Sequence, residues 1–399
     1  MIVGATFQQA RPVRHPTAKG VTLVFAQVLP VMAIVALFPA IPKLFAHFGG
    51  WPHAGLLVPM IVTIPSLCAA LFAPAAGWIA DRFGRRPAFI GGIALYVVAG
   101  LTPLVVDDLI LIVASRAVLG LADAFAITIS SALIGDYFGD QRYRWVAWTG
   151  AATSIAGTVL IAAGGILADI SWRGPFAIYA LAVPLLLMAI AFIDEPVSDD
   201  SGERPGKPAG FPWAAAFSIG SVTLIASIIY YVEPLNIATI LADRGAGSST
   251  QVGLIQAATS LAYIAGAFLY RHLHGRSIGA LLGIAGALIG AGMIVIGLTT
   301  SYHGAVAGAT VQQLGGGMVI PALLAWGQAR LPFDQRGRGM GIWATSFFAG
   351  AFLCPPILSA IARSVGGLAP AILTMGAIAL IFAALVHFSM GRRHDATVA

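Results

Sequence analysis

Residues 77–87 read Gly-Trp-Ile-Ala-Asp-Arg-Phe-Gly-Arg-Arg-Pro, a dense group of charges between two long apolar runs. Four of these eleven residues are charged, although Asp, Glu, Lys and Arg together form only 10% of the protein. A charged side chain at the centre of a bilayer costs about 2.5–3.5 kcal/mol even on a lenient insertion scale. We therefore interpret residues 77–87 as a short loop at a membrane surface, with an apolar helix on either side.

The composition supports a membrane protein. Hydrophobic residues make up 58% of the 399-residue chain, whereas soluble domains are about 45–50% apolar. A helix needs about 20 apolar residues to cross a hydrocarbon layer of roughly 30 Å. Twelve runs meet this need, and we number them span 1 to span 12 in chain order. They cover residues 21–46, 54–76, 87–106, 109–134, 146–168, 174–193, 213–241, 251–270, 278–299, 303–329, 340–362 and 368–389.

Lys and Arg lie mainly on one side of the predicted membrane. With the N-terminus placed in the cytoplasm, 17 of the 22 Lys and Arg residues fall in cytoplasmic segments, four on the opposite side and one, Arg116, within a span. Cytoplasmic loops of membrane proteins carry such an excess. The pattern predicts that both termini are cytoplasmic, and it explains the net charge of +6 without a nucleic-acid partner. The compact loops favour a bacterial inner membrane.

The pattern G-x-x-A-D-R-x-G-R-R-P resembles the signature loop between spans 2 and 3 of major facilitator superfamily transporters. The residues that carry the resemblance are Gly77, Asp81, Arg82, Gly84, Arg85 and Arg86. It implies an all-α polytopic fold of twelve transmembrane helices in two six-helix bundles, which work by alternating access. It also implies that Asp81 contacts the start of span 11 and that the arginines brace a closed inner gate. Anchoring of the topology by positive charge is the alternative, although it does not need Asp81.

A polar segment rich in Pro and Gly, residues 194–212, divides the spans six and six. We interpret it as a flexible cytoplasmic linker, acidic for solubility, between an N-terminal bundle (residues 1–193) and a C-terminal bundle (residues 213–399). The pattern D-Q-R-x-R occurs at residues 140–144 and again at 334–338, which indicates a duplication. Parallel repeats of this kind hold their binding site between the halves, near the membrane midplane.

Span 5 carries part of a second family pattern. Proton-coupled drug antiporters of the superfamily have G-P-x-x-G-G in this span, and residues 160–165 read Leu-Ile-Ala-Ala-Gly-Gly. The final Gly pair matches and the Gly-Pro is absent, so the chain resembles the drug:proton antiporter branch with one departure. Close helix packing through small residues is the structural explanation for the glycines of spans 5 and 9. These are Gly150, Gly157, Gly164, Gly165, Gly279, Gly283, Gly286 and Gly290.

Three ionisable residues fall inside predicted spans: Arg116 and Asp123 in span 4, and Glu233 in span 7. Such residues are expensive in a membrane and mark functional sites by default. Arg116 and Asp123 lie on one helix face, about 10 Å apart along the axis, so each is expected to find another partner or water. Arg116 with Gly120 resembles the R-x-x-x-G of the family's span 4, which implies a role in proton coupling or substrate response. A static buried pair is the alternative.

Glu233 immediately precedes Pro234 in span 7. Proline donates no backbone hydrogen bond and so frees the carbonyl of Tyr230, and it disfavours helical geometry at the residue before it. We expect span 7 to be kinked or broken here, with Glu233 facing a central path in the outer half of the span. Because burial disfavours a charged carboxylate, Glu233 is a candidate proton carrier. A carboxylate near the outer interface, satisfied by water, is the alternative.

Polar and aromatic residues within the spans are candidates for lining a substrate cavity, since ligand pockets are mostly apolar with a few placed polar groups. They are Gln27 in span 1, Tyr230, Tyr231 and Asn236 in span 7, Gln256 and Tyr263 in span 8, Gln312 and Gln313 in span 10, and Trp343 in span 11. Any one of them could instead form a hydrogen bond between helices.

Enzyme and metal signatures are missing from the sequence. The chain contains no G-x-x-x-x-G-K-[ST], H-E-x-x-H or G-x-S-x-G, so we expect no catalytic residue and no cofactor. His272 and His274 are closely spaced but have no nearby Cys or acidic residue, so we expect no metal site.

These features predict a monomeric secondary transporter that exports a small amphipathic organic compound in exchange for protons. Glu233, Asp123 or Arg116 would take part in the coupling. Proton-coupled uptake of a small organic acid or nutrient is the first alternative, with Arg116 as counter-ion to a carboxylate. A membrane sensor or enzyme without transport is the second, and the lack of a soluble output domain stands against it.

Overall fold

The computed structural model describes residues 15–196, 211–273, 275–331 and 336–391, and all regular structure within these ranges is helical. Spans 1 to 6 contain Pro16–Ala26, Leu29–Val35, Phe38–Ala40 and Ile41–Phe48 (span 1), Ala54–Phe83 (span 2), Arg85–Leu101 and Thr102–Leu104 (span 3), Leu109–Phe138 (span 4), Gly139–Gln141 and Arg142–Ile170 (span 5), and Gly174–Leu181 and Ala182–Phe192 (span 6). Spans 7 to 12 contain Trp213–Asp243, Ser249–Leu273, Ile278–Leu298, Tyr302–Arg330, Arg336–Val365 and Leu368–Gly391.

Span 1 is divided into short helices where prolines occur. Pro30, Pro39 and Pro42 each lie in the first turn of a new segment, at Leu29–Val35, Phe38–Ala40 and Ile41–Phe48. Proline lacks the backbone N–H that a continuing helix would use, but it is tolerated in a first turn, where the N–H groups have no helical partner. The prolines therefore set the points at which span 1 restarts.

Among the described residues, eleven segments are long and apolar enough to cross a membrane. The helix Tyr302–Arg330, which corresponds to span 10, is 29 residues long but is not one of the eleven. It contains Gln312, Gln313 and three consecutive glycines at 315–317, which lower its hydropathy. A helix nevertheless occupies each of the predicted spans.

The two halves meet where span 5 packs against span 8, span 2 against span 11, and span 1 against spans 7 and 8. Within the halves, span 4 packs against spans 2 and 3, and span 9 packs against spans 10 and 12. A space bordered by spans 1, 5, 7 and 8 therefore has walls from both halves.

Glycines allow the closest contacts. A Cβ at Gly164 would collide with the carbonyl oxygen of Ala36 in span 1, and a Cβ at Gly165 would lie 2.5 Å from the carbonyl oxygen of Ser249 in span 8. The glycines of span 9 that closely approach span 12 include Gly283, Gly286 and Gly290. The expected close packing is present at these positions. Gly150 is different, because an added Cβ would meet no atom within 4 Å.

We call the end of the molecule that carries Gly84 the loop end, and the opposite end the far end. At the loop end, the Glu195 carboxylate accepts hydrogen bonds from the backbone N–H groups of Arg85 (2.6 Å) and Arg86 (2.9 Å), at the start of span 3. The Arg86 side chain donates to the carbonyl of Ile193 at 2.7 Å. Gly84 turns the chain between spans 2 and 3 with φ of 100°, a conformation that favours glycine.

The first residues of the predicted linker are also fixed to the N-terminal half. The Lys19 ammonium lies 2.8 Å from the carboxylate of Asp194 and 4.5 Å from the ring centre of Tyr137, and the Tyr137 hydroxyl donates to the Asp194 carbonyl. Asp194 and Glu195 therefore have structural partners, whereas the interpretation of the linker's acidity as solubility stays a prediction for its remaining acidic residues. Residues 197–210 of the linker lie outside the described residues, as do residues 334–335 of the second D-Q-R-x-R segment.

Candidate functional site

A cavity of ≈ 270 Å³ lies at mid-depth between the halves, and we call it the middle cavity. Spans 1 and 5 line one side, and spans 7, 8 and 10 line the other. Glu233 is the charged side chain in its wall, with Gln256 and Gln313 beside it. The described residues that line the middle cavity include no Lys, Arg or His.

Glu233 is 1% exposed. Its Oε2 accepts a 2.7 Å hydrogen bond from Nε2 of Gln313 in span 10, and within the described residues it forms no ion pair. A glutamine amide can donate to a carboxylate, and its oxygen can accept from a protonated carboxyl. Gln313 can therefore hold Glu233 in either protonation state, whereas a Lys or Arg partner would favour the charged one.

Span 7 continues through Pro234 as a single helix, Trp213–Asp243, so it is not broken there. The kink, which is the other form of the expectation, stays a prediction. The carbonyl of Tyr230, which Pro234 leaves without a helical donor, accepts a 3.0 Å hydrogen bond from Nε2 of Gln312. Because Gln312 and Gln313 are consecutive, span 10 supports both the backbone and the carboxylate of the same turn of span 7. The Gln312 amide thus replaces the backbone N–H that the proline lacks, and it satisfies the Tyr230 carbonyl.

Aromatic rings connect the middle cavity with a larger cavity of ≈ 730 Å³. Tyr230 and Tyr263 line the middle cavity with ring centres 6.5 Å apart. Tyr230 also packs against Phe347 at 6.2 Å, and Phe347 contacts Phe348 at 6.0 Å. Phe348 lines the larger cavity, which spans 2, 4, 7 and 11 border mainly in their loop-end portions. The two cavities thus follow one another from mid-depth toward the loop end.

The far end is closed between spans 5 and 8. The Asp169 carboxylate, near the end of span 5, accepts hydrogen bonds of 2.8 Å from the backbone N–H groups of Ser249 and Thr250. These are the first residues of span 8, so the carboxylate caps a helix N-terminus across the two halves. One turn away, a Cβ at Gly165 would lie 2.9 Å from the Cα of Gly253.

Asp169 is a residue that the sequence analysis missed. An acidic residue at the end of one span and a start rich in Ser and Thr at another, residues 248–250, were the available signal. Hydropathy places both at membrane edges but does not pair them.

Arg116 is fully buried inside the N-terminal half and lines neither cavity. Its Nη2 donates to the carbonyls of Ala99 (2.7 Å) and Gly100 (3.1 Å) near the end of span 3. Its guanidinium carbon lies 4.7 Å from the ring centre of Tyr179. A helix C-terminus and an aromatic face both attract a cation. Nε and Nη1 of Arg116 have no hydrogen-bond partner in the described part of the chain.

Asp123 is 2% exposed and is not in an ion pair with Arg116. Its Oδ1 lacks a hydrogen-bond partner among the residues that the structure describes. The next residue, Ala124, lines the larger cavity. Asp123 therefore lies behind the cavity wall in this state.

The predicted cavity residues fall into two groups. Those that line the middle cavity are Tyr230, Gln256, Tyr263 and Gln313. Those that line neither cavity are Gln27, Tyr231, Asn236, Gln312 and Trp343. Gln27 instead donates to the hydroxyls of Ser130 (2.9 Å) and Ser131 (2.7 Å), which joins span 1 to span 4. Asn236 donates to the Val232 carbonyl of its own helix.

The signature loop is organised around Arg85, which pairs with Asp136 of span 4 and lies 3.7 Å from Asp81. Arg82 lies over the ring of Trp78 at 5.5 Å. The Asp81 side chain is 72% exposed. The segment just before span 11, where its predicted partner lies, includes residues 332–335 outside the described ranges. The gating role of Asp81 stays a prediction.

The sequence profile described as Major Facilitator Superfamily matches residues 23–232 and 215–398. The chain belongs to the Major Facilitator Superfamily. The family and the all-α fold expected from the signature loop are thereby confirmed. Membership also explains why the walls of the middle cavity come from both halves, since transporters built from parallel repeats bind between them.

The relatives of the chain include proteins named for drug efflux or for drug resistance. The drug efflux pump JefA of Mycobacterium tuberculosis is 31% identical over a match that covers 53% of this chain and 38% of that protein. The class B tetracycline resistance protein of Escherichia coli is 27% identical over 41% of this chain and 41% of that protein. The chain thus spans less than two thirds of the length of these relatives.

Solved structures of other transporters share the fold. A bacterial homologue of the human lysosomal transporter Spinster, in an inward-facing and unoccupied conformation, aligns with a TM-score of 0.75 at 16% identity and covers 94% of this chain and 97% of its own. The POT family transporter PepTSo aligns with a TM-score of 0.74 at 12% identity, covering 96% of this chain and 99% of its own.

Proposed function

We propose that this protein is a proton-coupled secondary transporter that exports small organic compounds. The observation that carries the proposal is Glu233, a buried carboxylate in a cavity walled by both halves and held by the neutral amide of Gln313. Relatives named as a drug efflux pump and a tetracycline resistance protein support the direction of transport.

The two ends of the molecule support a mechanism of alternating access. With the loop end in the cytoplasm, as the excess of Lys and Arg favours, the closed far end and the cavities toward the loop end correspond to an inward-facing state. Opening the far end would separate Asp169 from the start of span 8. Closing the loop end would bring Asp81 to the start of span 11. Each closed gate would then use a carboxylate at a helix N-terminus.

Coupling follows from competition at Glu233. A proton entering from outside would neutralise the carboxylate, and a substrate entering from the cytoplasm would displace that proton. Since Gln313 can hydrogen-bond to either protonation state, Glu233 can exchange its proton for a substrate without losing this hydrogen bond. A ligand that binds the inward-facing and outward-facing states equally well does not shift the equilibrium between them. The proton and the substrate must therefore each bind one of the two states more tightly.

We further propose a monomer in the inner membrane, with both termini in the cytoplasm. The N-terminal bundle (1–193) and the C-terminal bundle (213–399) would rock about the linker (194–212). Uptake of an organic acid with Arg116 as counter-ion has no support in the geometry, because Arg116 lines neither cavity. A sensor has no observation in its favour.

The test uses inside-out vesicles that contain the protein and hold an established pH gradient. We expect addition of a substrate from a panel of amphipathic cations, neutral drugs and small acids to collapse the gradient, and Glu233→Gln to abolish that response. Asp243→Asn is the matched control, because Asp243 is an exposed carboxylate at the end of the same helix. A gradient that collapses equally in Glu233→Gln would refute the coupling role.

The gate at the loop end has its own test. If Asp81 caps span 11 in the outward-facing state, Asp81→Asn weakens that state and slows transport, while the amount of folded protein is unchanged. Unaltered transport in Asp81→Asn would leave topology anchoring as the role of the loop.

A further inference from the structure

We propose that the middle cavity selects cations that carry several N–H donors, such as primary ammonium or guanidinium groups, over quaternary cations of the same charge. The inference rests on the proposed function, in which this cavity binds the substrate. It adds a preference among ligands of the same positive charge, and that preference comes from the hydrogen-bonding groups of the cavity wall.

The charge of the wall selects for a cation. Glu233 is the charged side chain among the described lining residues, and the rings of Tyr230 and Tyr263 stand beside it. A carboxylate and aromatic faces attract any organic cation, including one without N–H groups. Charge alone therefore does not discriminate among cations.

The amides of the wall direct their NH2 groups at acceptors. Nε2 of Gln313 faces the carboxylate of Glu233 at 2.7 Å, and Nε2 of Gln256 faces the carbonyl oxygen of Pro234 at 3.5 Å. A carbonyl or carboxylate oxygen can only accept, so the amide atom that faces it is the nitrogen. This orientation leaves Oε1 of Gln256 buried without a hydrogen-bond donor in the described part of the chain.

The Ser and Thr hydroxyls of the wall do not supply that donor, and the hydroxyls of Tyr230 and Tyr263, which also line the cavity, form no hydrogen bond to Oε1 of Gln256. Each hydroxyl carries one proton, and those of Thr153, Ser154, Thr259 and Ser260 lie within hydrogen-bond distance of carbonyls of their own helices, at 2.9, 2.9, 3.1 and 2.6 Å. Thr158 is 3.0 Å from the hydroxyl of Ser260. The cavity is therefore rich in acceptors, and most of its donors are already used.

A ligand with several N–H groups supplies what this wall lacks. One N–H can reach Glu233 while another pairs with Oε1 of Gln256, whereas a quaternary ammonium satisfies the charge and leaves the amide oxygen unpaired. Sites built to hydrogen-bond a substrate discriminate strongly against analogues that lack the group. Gln256 thus acts as a specificity-determining residue.

The test measures binding by calorimetry to the full chain in lipid nanodiscs, at a pH where every probe is charged. The probes are phenethylammonium, its N,N-dimethyl analogue with one N–H, and its N,N,N-trimethyl analogue with none. We expect phenethylammonium to bind at least about tenfold more tightly than the trimethyl probe. The dimethyl probe, close in size to the trimethyl one, separates donor count from bulk and should bind with intermediate affinity.

Three variants test whether Gln256 causes the preference for N–H donors. Gln256→Leu should weaken phenethylammonium and leave the trimethyl probe unchanged, so that the ratio of affinities approaches one. Gln251→Leu, near the exposed start of the same span, should leave the ratio as in the wild type. Glu233→Gln should weaken all three probes.

The outcomes separate this inference from the proposed function. Equal affinity for all three probes, lost in Glu233→Gln, would overturn the donor preference and keep the cation site. A ratio that survives in Gln256→Leu would overturn the role of Gln256. If no probe binds to protein that melts normally, the cation site and the donor preference both fall, whereas substrate-driven proton movement by a neutral compound would still uphold transport.

Discussion

Arg116 in span 4 and Glu233 in span 7 are 0% and 1% exposed, yet their surroundings differ. Arg116 bonds to the end of span 3 and stacks near Tyr179, so its partners belong to its own half. Glu233 faces a cavity that both halves line, and its hydrogen-bond partner is one neutral amide. A buried charge whose partners all belong to its own half moves together with them and stabilises that half. A buried charge at the boundary between the halves can change partners during transport.

The largest effect should come from Arg116→Ala. The change removes charge-assisted bonds to Ala99 and Gly100 and a cation–π contact, a loss on the order of 3–5 kcal/mol of stability. Thermal melting in detergent should show little folded protein, while Glu233→Gln should melt close to the wild type. Normal folding of Arg116→Ala, with loss of transport alone, would show that Arg116 does not serve to stabilise the N-terminal half.

The next effect concerns the interface at the far end. Gly165→Ala places a Cβ against backbone atoms of Ser249 and Gly253, and overpacking of this kind costs about 1–3 kcal/mol. Because the clash exists only when the far end is closed, we expect the population to shift toward an open far end. Distances between spin labels at the exposed positions 105 and 243, in a background without native cysteines, report the opening.

Two other glycines of span 5 serve as controls. Gly150→Ala meets no atom within 4 Å and should leave the label distances unchanged. Gly164→Ala collides with Ala36 inside the N-terminal half, so it should reduce stability without favouring one state. Equal distances in Gly165→Ala and the wild type would mean that this contact does not control the far end.

A third prediction concerns Gln312, which supports the turn of span 7 that carries Glu233. Gln312→Leu leaves the Tyr230 carbonyl without a donor, which should lower the free energy of unfolding by about 1–2 kcal/mol. In a Pro234→Ala background the helix can supply its own N–H to that carbonyl. The same Gln312→Leu change should then cost less, and the difference between the two backgrounds measures the coupling. Identical losses in both backgrounds would show that Gln312 does not compensate for proline.

The sequence predicted the fold well because membrane helices are specified by composition. Long apolar runs located the helices, and the charges of residues 77–87 located the loop that revealed the family. Span 10 shows the limit of hydropathy, since its glutamines and glycines lower its score. Its helix was still predictable from length.

The types of residue that form the site could be predicted from the sequence, but the directions in which their side chains point could not. Glu233, Gln256 and Gln313 reached the middle cavity, whereas Gln27 bonds to span 4 and Arg116 to span 3. Polarity alone does not say whether a side chain faces a neighbour or a cavity, because both satisfy a buried polar group. The roles of Asp169 and Glu195 depend on contacts over 80 and 109–110 residues of sequence, which no local pattern contains.

The smallest predicted effect is that of Asp169→Asn, at the boundary between the halves. An amide keeps one acceptor for Ser249 or Thr250 but loses the charge that favours a helix N-terminus, a difference of about 0.3–1 kcal/mol. The label distances at the far end should shift in the same direction as in Gly165→Ala, but by less. Asp107→Asn, an exposed carboxylate that pairs with Arg173 within the N-terminal half, is the matched control and should leave the balance of states unchanged. If Asp107→Asn moved the distances as much as Asp169→Asn, surface charge in general would control the far end, rather than a partner in the other half. Whether a charge has its partners in its own half, as Arg116 has, or lies at the boundary, as Glu233 does, would then not determine its role.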